Sequence, residues 1–119
     1  MDLLPIAELR PELPELESKH IRAVVSLVWP YSSSQREFAL LLAEPDFRLR
    51  LKKGQTRVRF TRTCAKAIAA TGIGIGDTVI LGLQGTQFVE KDAKIRTPGR
   101  SIDWELCFSQ TLVIQVRCR

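Results

Sequence analysis

The chain has 119 residues, 45% of them apolar, which is enough to build the core of one domain of ordinary size. Its formal net charge is +5, but five of its 13 acidic residues lie among the first seventeen positions, so residues 18–119 hold 17 bases against 8 acids, an excess that attracts polyanions. The sequence argues against a membrane span, which needs roughly 18 consecutive apolar residues, and against a disulfide framework, because its three cysteines are odd in number and lack C-x-x-C spacing.

The first eighteen residues are predicted to form an acidic, proline-containing N-terminal arm, followed by one ordered domain at residues 19–119. Pro5, Pro11 and Pro14 each disfavour a helix at their own position and at the preceding one. We therefore expect irregular chain in the arm, with at most one helical turn around Ile6–Leu9.

A long first strand is predicted from Lys19 onwards, where apolar residues recur with a period of two. Turn residues at 30–35 then lead into a second buried strand at Arg36–Ala43, so that the two strands form a hairpin. The leucine run of the second strand fits a helix as well, but it is short for one. One face of the first strand is expected to hold Ile21, Ala23, Val25, Leu27 and Trp29.

Basic residues alternate with apolar ones in Phe47–Lys53, which predicts an extended segment with its bases on one face. The third strand, Thr56–Phe60, follows a turn at Gly54. Its outward face is expected to carry Arg57 and Arg59, whose side chains point the same way because they are two positions apart.

An alanine-rich helix of about two turns is predicted at Thr63–Thr71. The fourth strand is Thr78–Val89, which contains two glycines that favour bends or bulges. A basic loop at Lys91–Arg100 precedes the last strand, Ile102–Val116, which is either continuous or broken near Ser109–Gln110.

The predicted order of elements is three strands, one short helix and two more strands. This order is typical of an all-β fold, the five-stranded OB-fold barrel, in which the helix between strands three and four closes one end. Five long strands in a chain of this length leave no room for the crossover helices of a parallel sheet. An SH3-like barrel is the alternative, although such barrels usually lack the helix.

Four motifs spread over Lys19–Val116 carry a resemblance to a known family. They are Val28-Trp29-Pro30-Tyr31, Leu42-Ala43-Glu44-Pro45-Asp46, Thr71-Gly72-Ile73-Gly74-Ile75-Gly76-Asp77 and Ser101-Ile102-Asp103-Trp104-Glu105. With these motifs the chain resembles the telomere single-strand-binding OB domains of protection-of-telomeres proteins and related fungal telomere-capping proteins. The resemblance implies that single-stranded telomeric DNA binds across strands two and three, between the first and fourth interstrand loops. The family also includes OB domains that dimerise or recruit protein partners.

The sharpest functional feature is a cluster of eight bases, with no acid, between positions 47 and 66. Such a density of like charge favours a bound polyanion, and single-strand binding also needs aromatic rings on which bases stack. A solvated basic face, with the aromatic residues packed under loops or in the core, is the alternative, and Trp29 and Trp104 are expected in the core. The predicted nucleic-acid contacts are Tyr31, Phe47, Arg48, Arg50, Lys53, Arg57, Arg59, Arg62, Lys94 and Arg96.

The leading hypothesis is that the domain binds single-stranded telomeric DNA in the nucleus, at chromosome ends, and contributes to their protection together with other telomere-complex proteins. No enzymatic activity, cofactor or metal site is expected, because the single His20 starts a strand and no cysteine or carboxylate has metal-ligand spacing. Two alternatives stay open, an OB-fold module for homodimerisation or docking of another telomere or replication subunit, and RNA binding. The leading hypothesis requires that the basic side chains of the third strand project into an open channel. It fails if internal carboxylates pair with Arg57 and Arg59, or if another segment of the protein fills that channel.

Overall fold

Strands dominate the computed structural model of the protein, which describes residues 2–97 and 99–118. The strands are β1 (Asp2–Leu3), β2 (Lys19–Ser32), β3 (Glu37–Ala43), β4 (Gln55–Thr61), β5 (Thr78–Gly82), β6 (Gln87–Glu90), β7 (Trp104–Phe108) and β8 (Ile114–Arg117). The helices are α1 (Phe47–Arg50) and α2 (Arg62–Ala70), and 3-10 turns form at Ile6–Glu8 and Leu16–Ser18.

One sheet contains all the strands of the described residues, in the hydrogen-bonded order β6-β7-β4-β3-β2-β5-β8, with β1 beside β2. β4 pairs in parallel with β7 and β1 with β2, and the other pairs are antiparallel. The mostly-β class and the position of α2, directly after the third long strand, are therefore confirmed.

The sheet is open, with β6 and β8 at its two ends, whereas the sequence predicts a closed barrel of five strands. The difference arises because each of the last two predicted strands is broken in two. β5 and β6 flank a turn that contains Gly85, whose φ of +80° favours glycine, and β7 and β8 flank residues 109–113. The halves then pair separately, β5 with β8 and β6 with β7.

A bulge in β2 changes which side chains face the core. Val25 pairs with Leu42 of β3, but Leu27 pairs with the very next residue, Leu41, so Ser26 is the extra residue. Because side chains alternate with a period of two, one inserted residue reverses the facing of every residue that follows it.

Trp29 therefore lies opposite Ala39 on the outer face of the sheet, and its neighbour Val28 packs against the core instead. This differs from the alternation predicted for the first strand, in which Leu27 and Trp29 share the inner face with Ile21. A second irregularity between Trp29 and Ser32 turns Tyr31 back towards the core.

The core lies on the inner face of the sheet and under α2. Phe60 of β4 and Phe108 of β7 stack there with ring centroids 5.8 Å apart, and both rings are fully buried. The helix contributes Cys64, Ala65 and Ile68, which lie on its buried face.

The acidic N-terminal segment packs against this core. Ile6 and Leu9 are 0% and 3% exposed and belong to the same buried cluster. The backbone N–H of Ile6 donates to Oε1 of Glu44 at 2.7 Å, which ties the segment to the end of β3. The predicted helical turn at residues 6–9 is present as a 3-10 turn.

The segment Phe47–Lys53 is not extended, in contrast to the sequence-based prediction. It forms the single turn α1 followed by a further turn at residues 51–53. The reason is a local cap: Oδ1 of Asp46 accepts the backbone N–H of Arg48 at 3.0 Å, which satisfies a free donor at the start of the helix. Neither α1 nor α2, nor any other part of the described chain, forms a helix long and apolar enough to cross a membrane.

Candidate nucleic-acid interface

The outer face of β3 and β4 forms a shallow depression that we call the outer groove. It lies between the β2–β3 turn (residues 33–36) and the loop that joins β6 to β7, of which residues 91–97 and 99–103 are described. Two adjoining depressions make up the groove. The one beside the turn has about 530 Å³ of space and is open to solvent, whereas the one beside the loop, with about 290 Å³ between its atoms, is narrow and has room for little more than a water molecule. Arg57 lines both cavities and so marks the middle of the groove.

Arg57 is held in place by a ring and a carboxylate. Its guanidinium carbon lies 4.5 Å from the ring centroid of Trp29, a cation–π contact. Its Nη1 donates to Oε1 of Glu105 at 2.7 Å, and the two side chains are only 14% and 6% exposed. The partner carboxylate comes from β7, which pairs with β4 on the side away from β3.

Arg59 lies two residues further along β4 and is also surrounded by carboxylates. Its nearest contacts are 3.6 Å to Glu105 and 3.7 Å to Glu37. Burial would lower the pKa of Arg59, but Cys107 and the two carboxylates outweigh burial and raise it, so the guanidinium stays charged.

The predicted free projection of Arg57 and Arg59 is therefore wrong, and the hypothesis fails in the form in which these two arginines bind phosphates. The two arginines face two glutamates, Glu105 and Glu37, so the middle of the outer groove carries no net charge. The pairing joins residues 48 positions apart in sequence, which no local pattern reveals.

The loop between β6 and β7 forms the far wall of the groove. It is anchored where the backbone N–H of Ile102 donates to the carbonyl of Gln55 at 2.9 Å. Lys91 and Trp104 line the cavity on this side. Lys94 and Arg96, two of the predicted contacts, are exposed on the same loop but do not line the cavity.

Aromatic residues are placed differently from the prediction. Trp29 lies in the outer groove, although its sequence pattern predicts a core position. Tyr31, the predicted stacking residue, packs against the core. Apolar residues occur on both faces of β2 around the bulge. The sequence alone therefore does not indicate that Trp29 faces outward and Tyr31 faces the core. Trp104, expected in the core, does pack against it, although it is only half-buried, and it meets Phe88 edge to face with centroids 6.1 Å apart.

Four further predicted contacts, Phe47, Arg48, Arg50 and Lys53, lie in or just after α1, outside the groove. Phe47 is 75% exposed, and the guanidinium of Arg50 stacks on its ring at 4.0 Å and donates to the carbonyl of Glu44 at 2.6 Å. Arg48 pairs with Asp46 at 3.0 Å, and Lys53 with Asp103 at 3.5 Å.

Of the eight bases between positions 47 and 66, three have no ion pair or ring contact within the described part of the chain: Lys52, Arg62 and Lys66. Arg62 is the first residue and Lys66 the fifth residue of α2, and both line a second cavity together with Arg36 of the β2–β3 turn. The described residues also contain no cluster of His, Cys, Asp and Glu that could hold a metal ion.

Comparisons with known proteins agree with this architecture. A family model described as a domain of unknown function (DUF8502) matches residues 2–119, and no curated protein matches the chain. Five solved chains match, among them Schizosaccharomyces pombe Pot1pC, in a crystal structure bound to ssDNA (CGGTTACGGT). This chain and Pot1pC are 15% identical with a TM-score of 0.59, and the match covers 98% of this chain and 87% of that one. At such low identity the likeness shows a shared, OB-like fold.

Proposed function

The chain belongs to the DUF8502 family, and we propose that it binds single-stranded nucleic acid in the outer groove, as a binding module without catalytic activity. The observation that carries the proposal is the stacked pair of Trp29 and Arg57, which lines the open part of the groove on the outer face of β3 and β4. A fold shared with a protein solved in complex with ssDNA supports the choice of ligand.

Stacking rather than charge would supply the affinity in the middle of this groove. Glu105 holds the guanidinium of Arg57 over the ring of Trp29, so two flat groups are already ordered before a ligand arrives. Each base that stacks on such a surface contributes about 1–3 kcal/mol. Phosphates would then meet the cations at the rim, such as Lys91 and the exposed Lys94 and Arg96.

We propose telomeric single-stranded DNA as the ligand, and with it a role in chromosome-end protection in the nucleus. Support for this finer assignment comes from the motifs in residues 19–116 and from the fold shared with Pot1pC. The neutral groove adds a physical reason for sequence preference, because contacts to base edges and faces carry sequence information and contacts to phosphates do not.

Fluorescence anisotropy with a labelled CGGTTACGGT strand tests the proposal, using a scrambled strand and the matched RNA as competitors. Trp29→Ala should weaken binding by about 5- to 150-fold, which corresponds to the loss of one stacking contact, and Trp29→Phe should retain most of the affinity. Phe47→Ala, which removes an exposed ring outside the groove, serves as the control. Loss of binding in Phe47→Ala with none in Trp29→Ala would move the site to α1, and no binding at low salt would reject the function.

A second candidate function, docking of a protein partner, is favoured by the apolar surface around α1. Phe47, Leu51 and Leu49 are 75%, 68% and 42% exposed within five residues of each other. Exposed apolar groups at such density are typical of interaction sites. Sedimentation of the wild-type protein and of the Phe47→Ser/Leu51→Ser variant tests self-association: a dimer that the double variant abolishes supports this candidate, and a monomer in both excludes homodimerisation.

A further inference from the structure

A second concave surface, which we call the cationic cavity, is lined by Arg36, Arg62, Thr63 and Lys66. It is a wide depression open to solvent, with about 800 Å³ of space above its four lining residues. Arg36 comes from the β2–β3 turn and the other three residues from the start of α2, so two separate elements build it.

The charge of the cationic cavity is not compensated within the protein. None of its three cations forms an ion pair with any residue of the described ranges, and no acid lines it. The acid next to Arg36 in sequence, Glu37, lines the outer groove instead and approaches Arg59. Three like charges around one concavity repel each other unless an anion joins them.

Both arginines also occupy an unfavourable backbone conformation. Arg36 has a φ of 54° and Arg62 a φ of 55°, in the left-handed region that costs a non-glycine residue about 1–2 kcal/mol. Strained residues of this kind occur often at ligand sites. Here they lie at the two edges of one cavity.

The cationic cavity adjoins the outer groove across a single residue. Gln35 and Glu37 line the groove, and Arg36 between them lines the cationic cavity. A strand that leaves the groove over the β2–β3 turn therefore meets the three cations next.

We propose that the cationic cavity binds phosphate groups of the strand whose bases lie in the outer groove, an inference that rests on the proposed function. Guanidinium groups suit this ligand because their paired N–H donors match two phosphate oxygens. The surface is thus divided: the neutral groove contacts bases, and the cationic cavity contacts the backbone beside it.

The test compares two variants that each lose three positive charges. One is Arg36→Gln/Arg62→Gln/Lys66→Gln, and the control replaces three exposed bases elsewhere by glutamine: Arg10, Arg22 and Arg117. Each lost phosphate contact should reduce the log–log salt slope for single strands by about 0.7. We expect the log–log salt slope of the cavity variant to be smaller than that of wild type by about 0.7 to 2.1, which corresponds to one to three lost contacts, and the control to keep the wild-type slope.

A second experiment tests phosphate binding in the cationic cavity even if the protein binds no strand. Pyrophosphate titrated into ¹⁵N-labelled wild-type protein should shift the backbone amide signals of Arg36, Arg62 and Lys66, and the cavity variant should not respond. Lys66→Gln alone provides a second variant if the triple one fails to fold, because lysine and glutamine have similar helix propensities. The inference is overturned if strand binding keeps its salt slope in the cavity variants, or if pyrophosphate affects wild type and variants alike.

Discussion

Glu105 is the residue that sets the electrostatics of the outer groove. It is nine-tenths buried, comes from β7, and lies 2.7 Å from Arg57 and 3.6 Å from Arg59. The basic cluster that the sequence displays so clearly is therefore neutralised at its centre, and the groove presents flat polar surfaces rather than free charge. Sequence analysis identifies the arginines but not this partner, because their contact depends on the parallel pairing of β4 with β7.

Replacing Glu105 by glutamine should change stability and binding in opposite directions. The fold should lose about 1–3 kcal/mol, because hydrogen bonds to a charged carboxylate are replaced by weaker neutral ones. The affinity for single strands should rise and should depend more steeply on salt, because the positive charge of Arg57 in the groove is no longer compensated by a carboxylate. Urea denaturation and anisotropy titrations measure the two effects. Glu12→Gln, an equal charge change on the N-terminal segment, should alter neither.

The buried thiol of Cys64 should make the stability of the fold depend on pH. Burial, with Cys107 nearby, raises the pKa of Cys64 above the usual thiol value of 9.0. As the pH rises, the unfolded chain loses this proton before the folded protein does. The protonated Cys64 thiol therefore makes its full contribution to folding stability below about pH 9. This contribution is lost as the pH rises towards the pKa that the thiol has in the folded protein.

Denaturation midpoints measured between pH 7 and pH 10.5 should therefore fall more steeply for wild type than for Cys64→Ala, which has no thiol to titrate at that site. Parallel curves for the two proteins would contradict the shift. In labelling with a thiol reagent at neutral pH, exposed Cys118 should react first, because Cys64 and Cys107 are buried.

At the level of elements, alternation predicts β4 well and β2 only in its first half. Val58 and Phe60 face the core from β4, opposite Leu40 and Phe38 of β3, because neither strand contains an inserted residue between them. In β2 the bulge at Ser26 moves Trp29 to the outer face. Apolar residues on both faces hide such a shift, so the main aromatic residue of the groove could not be found from sequence.

The single turn α1 shows how one cap overrides an alternating pattern. Asp46→Ala should increase hydrogen exchange at the amide of Leu49, whose hydrogen bond to the carbonyl of Asp46 closes this turn. Asp46→Asn should preserve protection, because asparagine and aspartate are comparable N-cap residues. Mass-spectrometric or NMR exchange of the three proteins measures this, and equal protection in Asp46→Ala would show that the cap is dispensable.

For the whole molecule, the three long strands β2, β3 and β4 and the position of α2 after them follow from the sequence, and the open sheet does not. The glycines at 82 and 85 indicate an interruption, but which halves then pair depends on the tertiary arrangement. The cations are likewise divided by the fold: some pair with distant acids, and Arg36, Arg62 and Lys66 converge on one cavity.

The N-terminal segment also belongs to the packed molecule. Ile6→Ala should destabilise the whole domain by about 2–5 kcal/mol, because its fully buried side chain fills the core next to Leu9. Ile75→Ala is the matched control, since that side chain is 57% exposed. Urea midpoints that are equal for the two variants would show that the segment is not packed as described.

Chemical-shift mapping tests the central claim most directly. A single-stranded CGGTTACGGT oligonucleotide is titrated into ¹⁵N-labelled protein and the perturbed amides and indole N–H signals are assigned. We expect the largest shifts at the Trp29 indole, at β3 and β4 around Arg57, along the β2–β3 turn, and in the loop between β6 and β7. Shifts confined to α1 or to the β5–β8 end of the sheet, with the Trp29 indole unmoved, would contradict it.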